Sequence, residues 1–101
     1  MRILVLLNPT NKRGTKTEYT KFRKRLVELG FIFLQNDVYM RITPNKKSNK
    51  KFIADLDAIK PSTGCIRMIE MTEKQYKSIY YLVGKEDQQE IVVGSHKFIQ
   101  L

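Results

Sequence analysis

Metal-assisted hydrolysis by a bound divalent ion needs carboxylates gathered in space, because only clustered negative charge offsets a cation that has shed part of its water. The sequence supplies few. Asp55 and Asp57 lie two apart in a helical stretch and do not face each other, while Asp37 and Glu70 are lone carboxylates in turn or strand positions. His96 is the single histidine and has no Ser, Cys or carboxylate at a spacing recognisable for nucleophilic chemistry. Cys65 falls within an apolar run and reads as a small buried hydrophobe. As a lone cysteine it forms neither an internal disulfide nor a thiolate metal cluster, which fits a reducing compartment. Arg13-Gly14-Thr15-Lys16 lacks the preceding glycine that a phosphate-cradling loop requires.

The plentiful chemistry is cationic. Nineteen Lys and Arg stand against ten Asp and Glu, a formal charge of +9, which points to a polyanionic partner. The distribution says more than the total: residues 1–51 carry thirteen basic and three acidic side chains, and residues 52–101 carry six and seven. Three clusters account for the excess, namely Lys12, Arg13 and Lys16, then Lys21, Arg23, Lys24 and Arg25, then Lys46, Lys47, Lys50 and Lys51. Neither basic helix shows the wide, Trp-studded apolar face of a membrane-surface helix. The longest apolar run, residues 3–7, is too short for a signal peptide's apolar region or a membrane span. A cytoplasmic protein is expected.

The elements that must position these groups follow from periodicity. With 101 residues the chain supports a single domain, its core spanning about residues 1–84 and a tail 85–101. Arg2-Ile3-Leu4-Val5-Leu6-Leu7 is a continuous apolar strand closed by Asn8-Pro9-Thr10-Asn11. From about Thr17, Tyr19, Phe22, Leu26 and Leu29 form a helical stripe flanked by Arg23 and Arg25, and Gly30 stops it. Phe31-Ile32-Phe33-Leu34-Gln35 and Val38-Tyr39-Met40-Arg41-Ile42 are strands around Asn36-Asp37, a tight hairpin or a bulge. Thr43 is the expected cap and Pro44 the first turn of a second helix with Phe52, Ile53, Leu56 and Ile59 on its core face, ended by Pro61. A strand over residues 65–71, one helical turn capped by Thr72, and short extended segments at 80–83 and 90–93 complete the chain.

Strand, helix, strand, strand, helix, strand is the ferredoxin-like α+β pattern: one antiparallel sheet with both helices on one face. A bare second face should alternate polar with apolar residues, yet residues 3–7 are apolar throughout and Phe31 and Phe33 oppose Ile32 and Leu34. Something apolar must cover that face, and a second copy of the chain on a two-fold axis is the simplest cover for so short a sequence.

Three blocks, Tyr19-Thr20-Lys21-Phe22-Arg23-Lys24 before Leu29-Gly30-Phe31-Ile32, Leu34-Gln35 leading to Val38-Tyr39, and Thr72-Glu73-Lys74-Gln75-Tyr76, resemble the CRISPR-associated protein 2 family in its Cas9-type branch. They match in order and spacing over about residues 3–93. The resemblance implies a ferredoxin-like homodimer with an extra C-terminal strand, seated between dimers of the CRISPR-associated protein 1 integrase and holding a double-stranded pre-spacer DNA during spacer acquisition. It also admits the Cas9-type effector as a partner. The expected DNA contacts are Lys12, Arg13 and Lys16, in the loop where basic residues of related proteins touch DNA, followed by Arg23, Lys24 and Arg25.

Many members of that family end the first strand with an aspartate, and two such aspartates across the dimer axis have been proposed to hold a divalent metal. Here the position is Asn8, whose neutral amide cannot supply that charge. The expectation is therefore a non-catalytic scaffold with no catalytic or metal-binding residues. The alternatives are a metal-dependent endonuclease acting on RNA or DNA, for which Mg2+ would be the cofactor, and a single-stranded RNA-binding module in which Phe31 and Phe33 or Tyr39 stack on bases.

Overall fold

A computed structural model of the chain describes residues 1–10 and 14–85; Lys12, Arg13, the segment 90–93 and His96 lie outside the described residues. In chain order the elements are β1 (Arg2–Asn8), α1 (Thr15–Glu28), β2 (Ile32–Gln35), β3 (Val38–Ile42), α2 (Lys46–Asp57), β4 (Cys65–Met71) and α3 (Glu73–Lys77). They build one four-stranded sheet in the order β2-β3-β1-β4 with every pair antiparallel. This is the ferredoxin-like α+β arrangement.

The most apolar strand, β1, lies inside the sheet, paired with β3 on one edge and β4 on the other. Its alternate residues divide between two cores. Ile3, Val5 and Leu7 join Tyr19, Phe22 and Leu26 of α1, Leu56 of α2, Phe31 and Tyr39 beneath the helices. Leu4 packs with Met40 and Tyr76 on the other side. The chain's own α3 thus supplies part of the cover expected of a second copy. What stays open there is a hollow of about 260 Å³ lined by Leu4, Leu6, Leu34, Val38, Ile79 and Tyr81, with Leu6 and Ile69 exposed nearby.

Local chemistry sets the element ends. Gly30 takes φ 90°, a conformation glycine adopts without strain. From there its N–H donates to the Val27 carbonyl and that of Phe31 to Leu26, at 3.0 and 2.9 Å, closing α1 as a Schellman motif with Phe31 and Leu26 both in the core. The Asn36-Asp37 hairpin also carries a bulge between Phe33 and Gln35, and Asp37 takes φ 59°, a region aspartate tolerates. Thr72 caps α3 with a reciprocal capping box to Gln75.

Four expectations need correction. Helix α1 begins at Thr15, with Gly14 as its N-cap. The cap of α2 is Asn45, whose side chain accepts from the Ser48 N–H at 2.9 Å. Thr43 is instead buried, its N–H donating to the Met1 carbonyl at 2.8 Å, so it prolongs the β1–β3 pairing and cannot open the helix. The face of α2 that packs inward runs Asn49, Phe52 and Leu56, which leaves Ile53 and Ile59 39% and 41% exposed, and the helix closes at Ala58, ahead of Pro61. Finally, residues 80–83 are irregular rather than strand, with Tyr80, Leu82 and Val83 exposed.

Candidate nucleic-acid interface

The rim at the end of β1 is tied to the turn before β4 by hydroxyl and backbone contacts. Thr15 lies 2.9 Å from Thr63 through their hydroxyls, and Thr10 lies 3.3 Å from Thr15 and 3.4 Å from Thr63. The Tyr19 hydroxyl donates to the Thr63 carbonyl at 2.8 Å, and burial pushes its pKa above the usual tyrosine value. Glu18 accepts from the N–H and hydroxyl of Ser62 at 3.0 and 2.9 Å. Gly64 takes φ 87°, and a Cβ there would run into the Tyr19 hydroxyl and come within 2.9 Å of the Asn8 carbonyl oxygen. Both residues that flank the segment bearing Lys12 and Arg13, Thr10 before it and Thr15 after it, are therefore fixed.

The cations of α1 do not converge on one point. At about 100° per residue, Lys16 and Arg25 lie half a turn apart while Lys24 points straight away from the buried stripe of Tyr19, Phe22 and Leu26. Lys16, Lys24 and Arg25 are exposed. Arg23 is committed elsewhere: its Nε and Nη2 donate to Asp37 Oδ1 at 3.2 and 2.7 Å, and its guanidinium stands over the Tyr19 ring at 5.9 Å. Replacing Arg23 with Gln should therefore cost roughly 0.5–1 kcal/mol of stability, given its partial exposure, and lower DNA affinity less than the same change at Lys24. Chemical denaturation and fluorescence anisotropy on the two variants measure both. On the opposite flank, Lys21, Lys24 and Arg25 border a shallow groove of about 330 Å³ with Phe22 and Ile59. Lys21 is exposed too and, three residues before Lys24, is its neighbour on this flank.

The end of β1 does not suit a divalent metal. Asn8 is exposed and pairs across the ladder with Cys65. The backbone carbonyl of Asp37 accepts from the Leu7 N–H at 2.8 Å, but the Asp37 carboxylate is held by Arg23. Glu70 lies toward the other end of β4, opposite Ile3, and accepts from Asn49 at 2.8 Å. Among the described residues no group of three or more His, Cys, Asp or Glu is placed to hold a metal ion, and no helix is long and apolar enough to cross a membrane.

Comparison with known proteins adds to this geometry. A family model described as CRISPR associated protein Cas2 matches residues 11–79. A protein of Ligilactobacillus salivarius (strain UCC118) named CRISPR-associated endoribonuclease Cas2 is 37% identical over 87 residues, covering 85% of this chain and 86% of the relative. Proteins with the same name from Lacticaseibacillus rhamnosus (strain ATCC 53103 / LMG 18243 / GG) and Streptococcus mutans serotype c (strain ATCC 700610 / UA159) are 33% and 36% identical over 89 and 88 residues. These cover 87% and 86% of this chain and 88% and 81% of the relatives.

Proposed function

The chain belongs to the CRISPR-associated protein Cas2 family, and from that premise we propose that it is a non-catalytic, dimeric scaffold of spacer acquisition in the cytoplasm. It binds duplex pre-spacer DNA through the phosphate backbone and bridges integrase dimers. The observation that carries this reading is the end of β1, where the neutral Asn8 stands beside an aspartate already held by Arg23. The exposed Lys16, Lys24 and Arg25 of α1 supply the cations, together with Lys12 and Arg13 outside the described residues. The apolar hollow beside Leu6 supplies a surface for the second copy.

Lysines and arginines that neutralise phosphates release condensed counterions, so affinity falls linearly in log-log fashion with salt, with a slope of about −0.9 per phosphate contact. Anisotropy titrations of a labelled duplex should show that slope and little dependence on base sequence. Binding that stays constant from low to high salt would refute the reading, as would undiminished integration into a repeat array when this chain is left out of a reaction with its cognate integrase.

The names of the relatives favour a second reading, an endoribonuclease. Degradation of single-stranded RNA with Mg2+ or Mn2+, lost on Asn8→Ala, would establish it in place of the first.

A further inference from the structure

The first two turns of α2 carry Lys46, Lys47, Lys50 and Lys51, all exposed. Their spacing stacks like charges one turn apart twice over, Lys46 on Lys50 and Lys47 on Lys51, which destabilises a helix. They also occupy the end at which the helix dipole favours anions. Helices α1 and α3 respect that polarity, with Glu18 and Glu73 in their first turns and Arg25, Lys74 and Lys77 in their last turns. Helix α2 inverts it, having no acid in its first turn and no base in its last. Among the described residues no carboxylate lies within ion-pair distance of any of the four lysines; Asp55, one turn beyond Lys51, is half-buried.

The opposite face of α2 prevents relief by movement. Asn49 is fully buried and donates to Glu70 at 2.8 Å, Phe52 meets Phe31 edge-on at 5.9 Å and stacks under Arg41 at 4.5 Å, and Leu56 is in the core. A helix pinned in this way holds four cations where they repel one another and oppose the dipole. An anionic partner turns that repulsion into attraction.

We propose that this face of α2 is a second surface for the phosphodiester backbone of duplex DNA, separate from the one at the start of α1. The inference rests on the DNA-binding reading and extends it. The starts of the two helices lie at opposite ends of the sheet: α1 follows the end of β1 at Asn8, whereas α2 follows the end of β3 at Ile42, which pairs with Arg2 at the start of β1. Seven strand residues at about 3.3 Å each separate those ends by roughly 20 Å, so Lys16 and the α2 lysines engage different phosphates.

The test is K46E/K47E, which places Glu one turn before Lys50 and Lys51 and gives α2 an acidic first turn. The free protein should melt a few degrees higher, because repulsion becomes attraction in the favourable orientation. Its affinity for a short duplex should nevertheless fall about tenfold, with a salt slope shallower by about 2. A higher melting temperature with unchanged affinity and slope overturns the proposal, whether the lysines then face solvent or an acidic protein. A K16Q/K24Q/R25Q variant separates the two readings. If it binds as the unaltered chain does while K46E/K47E fails, the α1 track is wrong and this surface stands. If the unaltered chain binds no duplex at any salt, both fall.

Discussion

Glu73→Gln should lower stability by about 2 kcal/mol, near 10 °C in melting temperature for a domain of this size, whereas Arg2→Met should cost less than half as much. The Arg2 side chain is 1% exposed and that of Glu73 is 38% exposed. Arg2 Nε and Nη2 donate to the two Glu73 carboxylate oxygens at 2.9 and 3.1 Å, and the guanidinium lies 3.8 Å from the Tyr76 ring centroid. Removing the carboxylate withdraws the counter-charge from a cation that water barely reaches, while replacing the cation with an apolar chain of similar length leaves an acid that water still solvates. The figure is kept below the roughly 3–5 kcal/mol of fully buried pairs because Glu73 is partly exposed.

The same contact sets a pH dependence. The hydrogen bonds from Arg2 hold the Glu73 carboxyl below its ordinary value of 4.5 against the opposing effect of burial, and the Arg2 charge adds to this. A depressed folded-state pKa gives stabilisation that is complete above the unfolded value and is lost as pH falls through the folded one. Urea titrations should therefore show stability declining below about pH 4.5 more steeply in the unaltered chain than in Glu73→Gln. Equal slopes would show that the pair contributes nothing.

Gly64→Ala should be of similar or larger effect, about 2–4 kcal/mol. A left-handed backbone at a residue with a Cβ costs on the order of 1–2 kcal/mol, and here the new atom also collides with the Tyr19 hydroxyl and crowds the Asn8 carbonyl. Tyr19 is almost fully buried and cannot swing away without surrendering its bond to Thr63. The consequence reaches function, since the displaced contacts fix the rim on which Lys16 sits. Duplex affinity should fall with stability, and Tyr19→Phe in the Gly64→Ala background should recover part of both. Denaturation and anisotropy on the single and double variants decide this, and a Gly64→Ala protein as stable as its parent would contradict the clash.

How much of this was legible beforehand depended on sequence separation. The stripe of Tyr19, Phe22 and Leu26, the stop at Gly30, the Asn36-Asp37 hairpin and the Thr72 cap are all written within a turn or two of chain, and each stands where its pattern put it. The grip of Arg2 on Glu73 joins residues 71 apart, so nothing local announces that α3 folds back over Leu4 and Met40. Arg23 looked like any other member of a basic run because its partner lies fourteen residues away, in the turn between β2 and β3. Thr43 and Pro44 carried a sound capping signal, but the pairing of β1 with β3 claimed the Thr43 N–H first. Of the candidate DNA contacts, Lys16, Lys24 and Arg25 are exposed as a phosphate-binding residue must be. Their angular spread around α1 follows from spacing and could have been drawn from it.

The position of β1 has a bearing on biosynthesis. The greasiest strand leaves the ribosome ahead of both its neighbours, and the second of them, β4, emerges only after two helices and a hairpin have been made. Until then one flank of β1 offers bare amides and carbonyls to any passing strand, so the nascent chain should be most prone to aggregate, and most in need of chaperones, in the interval before Cys65–Met71 is released.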